Sequence, residues 1–319
     1  MKKYLNEIFM FFLLPAVLIA GVAEFSLRKI PNDYAFKNQW LTKNSHEVEV
    51  LALGASTVLF DIDPAYFQQK GFNAAHVSQS LKYDHMIFHK FIDQMPSLEY
   101  VIMSIDYWSA FVELEESTEW WRVKYYNIHY GSKFHRWEGK YNYELYFHDM
   151  GTFKAAAKGL MTFVGLKNET RRTVNDLGYG INYTLDNRLA EWDNGTSEAS
   201  RHNKLIADVI HRNHINQNKH YVEDMIQKSV ANDVKVILIN VPLYSSYRDN
   251  LDKKFVKQQK DFCRYFAEKY VNVLYHDFSD DPRFTAEDYF DVNHLNEKGT
   301  EKLTRTLDSL MVYHHDSSY

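Results

Sequence analysis

The sequence predicts an α/β protein: a three-layer α/β/α domain around a parallel five-stranded sheet, with an aromatic-rich insertion and an N-terminal transmembrane helix. Five short segments are rich in β-branched and aliphatic residues, a composition typical of strands that are buried on both faces. Segments with helical periodicity separate them, and this alternation favours a parallel sheet with helices on both faces. The third observation is a long apolar run near the N-terminus, which predicts the membrane helix.

Strands and helices alternate along most of the chain. The predicted strands are Val48–Leu53, Phe72–Ala75, Tyr100–Ile105, Val234–Val241 and Val271–Phe278. The predicted helices between them are Lys82–Gln94, His220–Val230 and Lys254–Lys269. A last amphipathic helix follows Asn296, its predicted N-cap, and carries Leu303, Leu307, Leu310 and Met311 on its apolar side. The stretch Leu27–Ser45 is mixed and polar, so we expect a tether there.

A serine follows the first predicted strand directly, at the turn Gly54-Ala55-Ser56. Ligands bind at the carboxyl edge of a parallel sheet, because the loops that leave the strands converge there and helix N-termini point free N–H groups at it. Ser56 is therefore a candidate nucleophile. A serine hydroxyl is unreactive at neutral pH without a base, so this role requires a histidine that is oriented by a carboxylate.

The segment before the last helix contains both of these groups. Asp291 and His294 are three residues apart in Asp291-Val292-Asn293-His294. A turn here can set the carboxylate against one imidazole nitrogen and leave the other nitrogen available to Ser56. Taken singly, the serine suits a structural turn, the aspartate a helix cap and the histidine a solvated surface. Found together at these topological positions, the three residues favour a catalytic set.

These blocks resemble the first and last blocks of the SGNH (GDSL-like) hydrolase superfamily, in which a serine after the first strand pairs with an Asp-x-x-His near the C-terminus. The stretches 54–64 and 72–80 are similar to its membrane-anchored bacterial branch, whose relatives modify cell-envelope polysaccharides with acyl groups. The resemblance covers 47–107 and 218–311. It implies a flavodoxin-like domain with Ser56 as nucleophile, His294 as general base and then acid, and Asp291 as the group that orients the histidine.

The resemblance also implies an oxyanion hole. Backbone N–H groups of Ser56 and Ala75 would form part of it, with alanine standing where the family usually has glycine. The family's third block ends in Gly-x-Asn-Asp, whose asparagine donates to the oxyanion, whereas this chain has Ser-Ile-Asp-Tyr with Asp106 at the asparagine position. An ionised Asp106 cannot donate, and losing one such donor costs about a hundredfold in rate. The candidate replacements are Asn73, Gln79, Ser80 and a protonated Asp106.

The N-terminal apolar run extends from Ile8 to Ala23 and follows two lysines, Lys2 and Lys3. It approaches the roughly 20 residues that cross a bilayer. An uncleaved signal anchor and a signal peptide cut after Ala23 both fit, and the anchor is favoured because no polar c-region follows. In either case the lysines stay inside. This predicts that the rest of the chain lies outside the cytoplasmic membrane, in the periplasm or at the cell surface.

The expected domains are a signal anchor at 1–30 and an SGNH-like catalytic domain at 31–319, with an insertion at about 110–215. The insertion is acidic at its start and unusually aromatic at its centre. Its aromatic residues include Trp120, Trp121, Tyr125, Tyr126, Tyr130, Phe134, Trp137, Tyr141, Tyr143, Tyr146 and Phe147. Two roles are open for them: core packing over one side of the sheet, which is favoured, or a sugar-stacking or membrane-facing wall beside the site.

Composition argues against several other kinds of function. The 319 residues carry a formal net charge of −5, which disfavours the clustered basic surface of a nucleic-acid-binding protein. Cys263 is the only cysteine, so no intrachain disulfide forms, and its helical context predicts a core position. The histidines that invite a metal assignment are His202, His211, His214 and His220. No matching carboxylate accompanies them, so we expect neither a metal nor a cofactor.

Together these features predict a membrane-anchored, extracytoplasmic serine acyl-transfer enzyme. The expected reaction is O-acetyl transfer to, or removal from, a cell-envelope or extracellular polysaccharide, with transfer ranked slightly first. The expected partners are that glycan and the cytoplasmic membrane, with a membrane-bound O-acyltransferase as a further candidate. The alternative is a weak or inactive SGNH-fold protein that binds glycan or positions a membrane O-acyltransferase, which the missing asparagine donor favours.

Overall fold

The computed structural model describes residues 2–146, 150–168 and 170–316. The chain divides into two compact units. We call them the anchor unit (Met1–Asn38 and Trp121–Arg172) and the sheet unit (Gln39–Trp120 and Thr173–Tyr319). Phe147, one of the aromatic residues of the predicted insertion, lies outside the described residues.

A parallel sheet of five strands forms the core of the sheet unit. Its strands are β1 (Val50–Leu53), β2 (Gly71–Asn73), β3 (Tyr100–Ser104), β4 (Lys235–Asn240) and β5 (Val273–Asp277). They lie in the order β2-β1-β3-β4-β5, and every neighbouring pair is parallel. All residues of β1, β2 and β3 are buried, as expected for strands that helices cover on both faces. The predicted α/β fold is confirmed.

Helices connect the strands and make up much of the anchor unit. They are α1 (Lys2–Arg28), α2 (Asp33–Asn44), α3 (Ser56–Asp61), α4 (Leu81–Phe91), α5 (Val123–Tyr125), α6 (Met150–Phe163), α7 (Thr196–Val209), α8 (His214–Val230), α9 (Ser245–Arg248), α10 (Lys253–Lys269) and α11 (Glu297–Asp316). Asn296 caps α11, because its Oδ1 accepts hydrogen bonds from the N–H groups of Lys298 and Gly299. The predicted N-cap is therefore confirmed. Cys263 is fully buried in α10, also as predicted.

The expectation of a polar tether at Leu27–Ser45 was wrong. This stretch contains the end of α1 and the whole of α2. Tyr34 and Leu41, two helical turns apart, are both buried, and they give α2 an apolar side that its polar residues conceal in the sequence. Lys37 is buried as well, and this burial lowers the pKa of its ammonium group to about 7.

The turn after β1 brings Ser56 to the carboxyl edge of the sheet. β1 ends at Leu53, and Ser56 is the first residue of α3. Between them, Gly54 has a φ of +146°, a conformation that L side chains rarely adopt. A Cβ added at Gly54 would lie 2.5 Å from the Cγ2 atom of Val58. The turn that presents the serine therefore requires glycine at this position.

The first turns of α11 are fastened to α3 and to the loop that follows it. The hydroxyl of Thr300 donates to the carbonyl of Phe60 at 2.8 Å, and the N–H of Asp63 donates to the hydroxyl of Thr304 at 3.2 Å. Leu303, on the apolar side of α11, is completely buried. This packing holds the segment that precedes α11 against the serine turn.

The anchor unit is built around α1. The part Phe9–Arg28 is 20 residues long with a mean hydropathy of 2.1, so it is long and apolar enough to cross a membrane, as a signal sequence also is. α6 packs against α1, and a Cβ added at Gly159 would lie 2.5 Å from the carbonyl oxygen of Ser26. A small residue thus lets the two backbones approach closely. Exposed apolar residues in and after α6 are Phe153, Leu160, Met161, Phe163, Val164 and Leu166.

The tyrosines of the anchor unit fall into two groups. Tyr126, Tyr130 and Tyr141 are buried, and the ring of Tyr34 packs edge-on against Tyr126 with centroids 5.1 Å apart. Tyr143, in contrast, has a relative exposure of 55%. Core packing therefore accounts for the buried tyrosines, whereas Tyr143 remains accessible.

We predict that Gly54→Ala destabilises the protein by about 1–3 kcal/mol, because the new side chain must be held in a disfavoured conformation and clash with Val58. Denaturant unfolding of the two proteins measures the difference. Gly139→Ala is the matched control, since an added Cβ there meets nothing closer than 4.0 Å. Equal stability of Gly54→Ala and the wild type would contradict this account of the turn.

Candidate active site

The structure brings Ser56, His294 and Asp291 into one hydrogen-bonded chain. The Nε2 atom of His294 lies 2.9 Å from the Ser56 hydroxyl oxygen. Its Nδ1 atom lies 2.9 Å and 3.0 Å from the two carboxylate oxygens of Asp291. Ser56 is half-buried and His294 is buried. This is the geometry in which a histidine takes the proton of a serine hydroxyl while a carboxylate orients the ring.

A tight turn holds Asp291 and His294 in this arrangement. The Oδ1 atom of Asp291 accepts hydrogen bonds from the N–H groups of Asn293 and His294, at 3.0 Å and 2.9 Å. The N–H of Phe290 donates to the carbonyl of His294 at 2.9 Å and closes the same loop. The spacing of three residues therefore lets one carboxylate cap the turn and bind the imidazole.

The charges around His294 favour its protonated form. Burial alone would lower the pKa of the imidazole, but the negative charge of Asp291 and its hydrogen bond, followed by the charges of Asp61 and Asp106, outweigh burial and raise that pKa to about 9. In Asp291 burial is likewise outweighed by His294 and by two backbone N–H groups, which lower the pKa of the carboxyl. Both shifts favour the charged forms of the pair, the imidazolium and the carboxylate.

Asp61, at the end of α3, is a site residue to which the sequence pattern assigned no role. Its Oδ1 atom accepts a hydrogen bond from the N–H of Leu295 at 2.8 Å, next to His294. Its Oδ2 atom is buried and has no hydrogen-bond partner in the described part of the chain. Burial raises the pKa of Asp61 well above its usual range, and the charge of His294 opposes this shift. Its position in Phe-Asp-Ile-Asp, five residues after the serine, was the only signal in the sequence.

Asp106 lies beside the site with both carboxylate oxygens engaged. The hydroxyl of Ser104 donates to its Oδ1 at 2.7 Å, and the hydroxyl of Thr57 donates to its Oδ2 at 2.8 Å. Burial raises the pKa of Asp106, while these two hydrogen bonds and the charge of His294 lower it. In this arrangement the side chain links β3 to the start of α3.

The candidate oxyanion donors on the second block are used within the fold. Asn73 donates both amide hydrogens of Nδ2, to the carbonyl of Val58 at 2.7 Å and to the carbonyl of Ile62 at 2.8 Å. Its Oδ1 atom accepts the N–H of Ala75 at 3.1 Å. Asn73 therefore fastens the end of β2 to α3, and the Ala75 N–H already has an acceptor in this structure.

Gln79 and Ser80 are likewise held by acidic residues. Gln79 donates from Nε2 to the Oδ1 atom of Asp84 at 2.6 Å, and the Ser80 hydroxyl donates to Glu113 Oε2 at 2.8 Å. All four side chains are buried. The Ser56 N–H is different, because the first residues of a helix have no acceptor within it. Of the predicted donors, the Ser56 N–H thus has the clearest access to a bound oxyanion.

Three aromatic rings are stacked beside the histidine. Tyr183 lies between Phe60 and Phe290, with ring centroids 3.7 Å and 4.0 Å away, and its edge faces His294 at 5.1 Å. Tyr183 and Phe290 are only half-buried. Tyr183 belongs to the predicted insertion, so part of that insertion does reach the site. These rings shield the imidazole and offer a flat, partly accessible surface.

A cavity of about 150 Å³ lies next to the site, lined by neighbours of Ser56 and His294 in the sequence. Thr57, which follows Ser56, and Asn293, which precedes His294, both line it. Asp106 lines it as well. The apolar side chains that line it are Ile105, Val241, Leu243, Leu251 and Val256. A cavity with this lining suits a small, mainly apolar group such as a short acyl chain.

The histidines named as metal candidates do not converge in the described part of the chain. The Nδ1 atom of His202 lies 2.6 Å from the Tyr247 hydroxyl, and burial lowers the pKa of His202 to about 4. The Nε2 atom of His214 lies 2.9 Å from the Oε1 atom of Glu116. The sequence indicated a solvated helix without a matching carboxylate, which is wrong for two of these residues: His202 is buried, and His214 has Glu116 as a partner.

No protein-family model and no curated protein matches the sequence. Two solved structures are similar in backbone course. One, from Streptococcus pneumonia and provisionally named a platelet activating factor, is 11% identical, with 92% of this chain and 98% of that chain covered and a TM-score of 0.42. The other, from Bacteroides fragilis and provisionally named an acylhydrolase, is 11% identical, with coverage of 86% and 95% and a TM-score of 0.38. At this level of similarity neither structure assigns a function to the chain.

We predict that Asp61→Asn moves the pH dependence of serine acylation to lower pH. Only neutral imidazole accepts a proton, so the rate should rise with pH as His294 loses its proton near pH 9. The substitution keeps an oxygen for the Leu295 N–H but removes a negative charge that raises the pKa of His294. Rates measured from pH 6 to 10.5 give the midpoint.

The matched control is Asp63→Asn. Asp63 lies in the same loop and accepts the N–H of Ala65, but it is not among the charges that shift the pKa of His294. Its midpoint should equal that of the wild type. An unchanged midpoint in Asp61→Asn would mean that Asp61 is uncharged over the working range and does not set the pKa of the base.

Proposed function

We propose that this protein is a serine-dependent acyl-transfer enzyme that acts on ester bonds. The observation that carries the proposal is the continuous hydrogen-bonded chain from the Ser56 hydroxyl through His294 to Asp291. A structural turn serine has no need of a buried histidine whose second nitrogen is bound to a carboxylate. These three hydrogen-bonded side chains also lie at the carboxyl edge of a parallel sheet, where α/β enzymes bind their ligands.

The proposed reaction has two halves. In the first, the Nε2 atom of His294 takes the hydroxyl proton while Ser56 Oγ bonds to the ester carbonyl carbon, whose π electrons move to the carbonyl oxygen. The tetrahedral species then expels the alcohol, which receives the proton from His294, and an acyl-serine ester remains. In the second half an acceptor hydroxyl repeats these steps in reverse, and Ser56 recovers its proton. Asp291 keeps the Nδ1 hydrogen directed away from the serine throughout.

Stabilisation of the oxyanion is the weakest part of this site. The Ser56 N–H suits the role, whereas the side chain of Asn73 and the N–H of Ala75 are engaged elsewhere. Asp106 donates only when it is protonated, a form that its burial favours. Each donor missing from a complete hole should slow the chemical step by about a hundredfold.

We further propose that the acyl acceptor is a polysaccharide hydroxyl. The partly exposed stack of Tyr183 and Phe290 beside His294 suits a sugar ring, since flat apolar faces pack against aromatic rings. Trp192 and Tyr244, with ring centroids 4.7 Å apart, add a second half-buried aromatic surface near the same loop. The cavity beside Thr57 would hold a short acyl group such as acetyl. Transfer to glycan then ranks slightly above removal from it.

The proposed location is the outer side of the cytoplasmic membrane, with α1 as a single membrane anchor. Positive residues before the apolar part of α1 would remain inside. The neighbouring α6 supports a membrane setting, because Phe163 packs against Phe25 of α1 and remains 55% exposed, together with other apolar residues. A bilayer would cover these side chains, which are costly to leave in water.

The second candidate function is a glycan-binding or scaffold protein that works with a membrane-bound O-acyltransferase. The engaged state of Asn73 and Ala75 and the acidic Asp106 favour it, because each weakens the oxyanion hole. Under this alternative the histidine and serine persist without turnover. Chemical reactivity of the serine separates the two functions.

We predict that a fluorophosphonate probe labels the full-length, detergent-solubilised protein at Ser56, and that Ser56→Ala and His294→Ala abolish the labelling. Asp291→Asn should slow it by on the order of 10⁴-fold, because the imidazole is no longer held in the productive tautomer. Gel fluorescence and mass spectrometry of the labelled peptide measure both effects. Ser97→Ala and His46→Ala, which change exposed side chains outside the proposed site, are the matched controls. A folded wild type that does not react would favour the scaffold function.

A partition experiment tests the acceptor. The protein is incubated with an activated acetyl ester, with and without cell-envelope oligosaccharides, and acetate and acetylated sugar are both quantified. We predict acetylated oligosaccharide from the wild type, and at least a tenfold loss of it in Trp192→Ala with unchanged probe labelling, since that residue would bind only the sugar. A parallel incubation uses oligosaccharides that already carry acetyl groups. If these lose acetate, and the activated ester yields no acetylated oligosaccharide, the enzyme is an esterase.

A further inference from the structure

Two helices of the sheet unit bring three metal-ligating side chains together, away from the serine. His85 and His89 lie one turn apart on α4, and Asp224 faces them from α8. One ligand atom from each of the three lies within 4.8 Å of the other two. The side chains are partly buried, with relative exposures of 26%, 33% and 41%. None of the three takes part in the proposed acyl transfer.

Only one of the two histidines has good hydrogen-bond geometry with Asp224. The Nε2 atom of His85 lies 2.8 Å from Asp224 Oδ2 in hydrogen-bond geometry. The Nε2 atom of His89 lies 2.6 Å from the same oxygen, yet it is buried and makes no hydrogen bond among the described residues. Two imidazole nitrogens and one carboxylate oxygen thus point at one small region. A shared cation explains this convergence better than a second, misaligned ion pair.

The donor set selects the kind of cation. Imidazole nitrogens suit zinc and its first-row neighbours, whereas magnesium and calcium prefer oxygen ligands alone. Histidines at i and i+4 lie on one helix face and can bind a single zinc ion. At Zn–N and Zn–O distances of about 2.0–2.2 Å, tetrahedral ligand atoms are roughly 3.4 Å apart, which small side-chain rotations reach here. Met86 follows His85 where the metalloprotease motif has its glutamate, so the site lacks that catalytic base.

We propose that His85, His89 and Asp224 bind one Zn²⁺ ion, which fastens α4 to α8. His220, one turn before Asp224 on α8, or a water would complete the coordination. The two helices pack side by side, and an ion pair of 2.6 Å joins Lys228 of α8 to Asp93, two residues after the end of α4. The metal ion would add a second link in the middle and last turn of α4. The role is structural, and it predicts coupling between metal and folding.

The test uses full-length protein in detergent, carrying a tag without histidine and stripped of metal with EDTA. Competition with a chromophoric chelator should show one Zn²⁺ bound per chain at pH 7.5, and millimolar Mg²⁺ should not compete. His85→Ala and His89→Ala should each weaken Zn²⁺ binding at least tenfold. His211→Ala is the matched control, since that exposed histidine lies on another part of the surface, and it should bind as the wild type does.

Two further measurements do not depend on how well a single variant folds. Co²⁺ added to the metal-free wild type should give the intense visible absorption of a tetrahedral site, and Zn²⁺ should abolish it by displacement. Zn²⁺ should also raise the melting temperature of the wild type but not of His85→Ala/His89→Ala. The proposal is overturned if the wild type binds no stoichiometric Zn²⁺. It is equally overturned if the variants that lack these histidines bind Zn²⁺ as tightly as the wild type.

Discussion

The attachment of α11 to α3 is the constraint on which the candidate site depends. The serine turn and the histidine loop belong to opposite ends of the sheet unit's sequence, and no single element contains both. The bonds from Thr300 to Phe60 and from Asp63 to Thr304 bring them together, and Leu303 seals the interface. A change that loosens this packing would separate nucleophile and base even if every reactive group were intact, because hydrogen-bond reach is only about 3 Å.

The same packing removes water from a cluster of acids around one imidazole. Asp291, Asp61 and Asp106 all stabilise the positive charge on His294, so the base is most stable in the form that cannot act. In the proposed reaction these charges would stabilise the imidazolium that forms as the serine attacks, at the expense of reactivity at neutral pH. Burial raises the pKa of Asp61 and of Asp106, and this opposes the negative charge that the two side chains contribute. The balance between these effects sets the working pH.

Local sequence patterns were enough for the sheet and for the serine, aspartate and histidine. Buried strands leave continuous apolar runs, and the cap at Asn296 and the Asp-x-x-His spacing are short-range features. Features made by distant residues left no such signal. The position of Asp61 depends on a hydrogen bond from Leu295, which is far away in the sequence. The burial of α2 depends on the elements packed around it. The histidine pair on α4 becomes a candidate metal site only because Asp224 faces it from α8. The sequence identified Asp106 as a candidate site residue, but it did not predict the hydrogen bonds that Asp106 accepts from two hydroxyl groups.

The distance along the chain between the two partners also has a consequence for how the molecule is made. Ser56 and His294 are 238 residues apart, so the contact between them can form only after all five strands of the sheet have been synthesised. A ribosome adding about 5–20 residues per second needs more than ten seconds to synthesise the intervening segment. In the proposed mechanism the serine has no general base throughout that interval. Acylation of Ser56 would therefore begin only after the segment that contains His294 has been synthesised and folded.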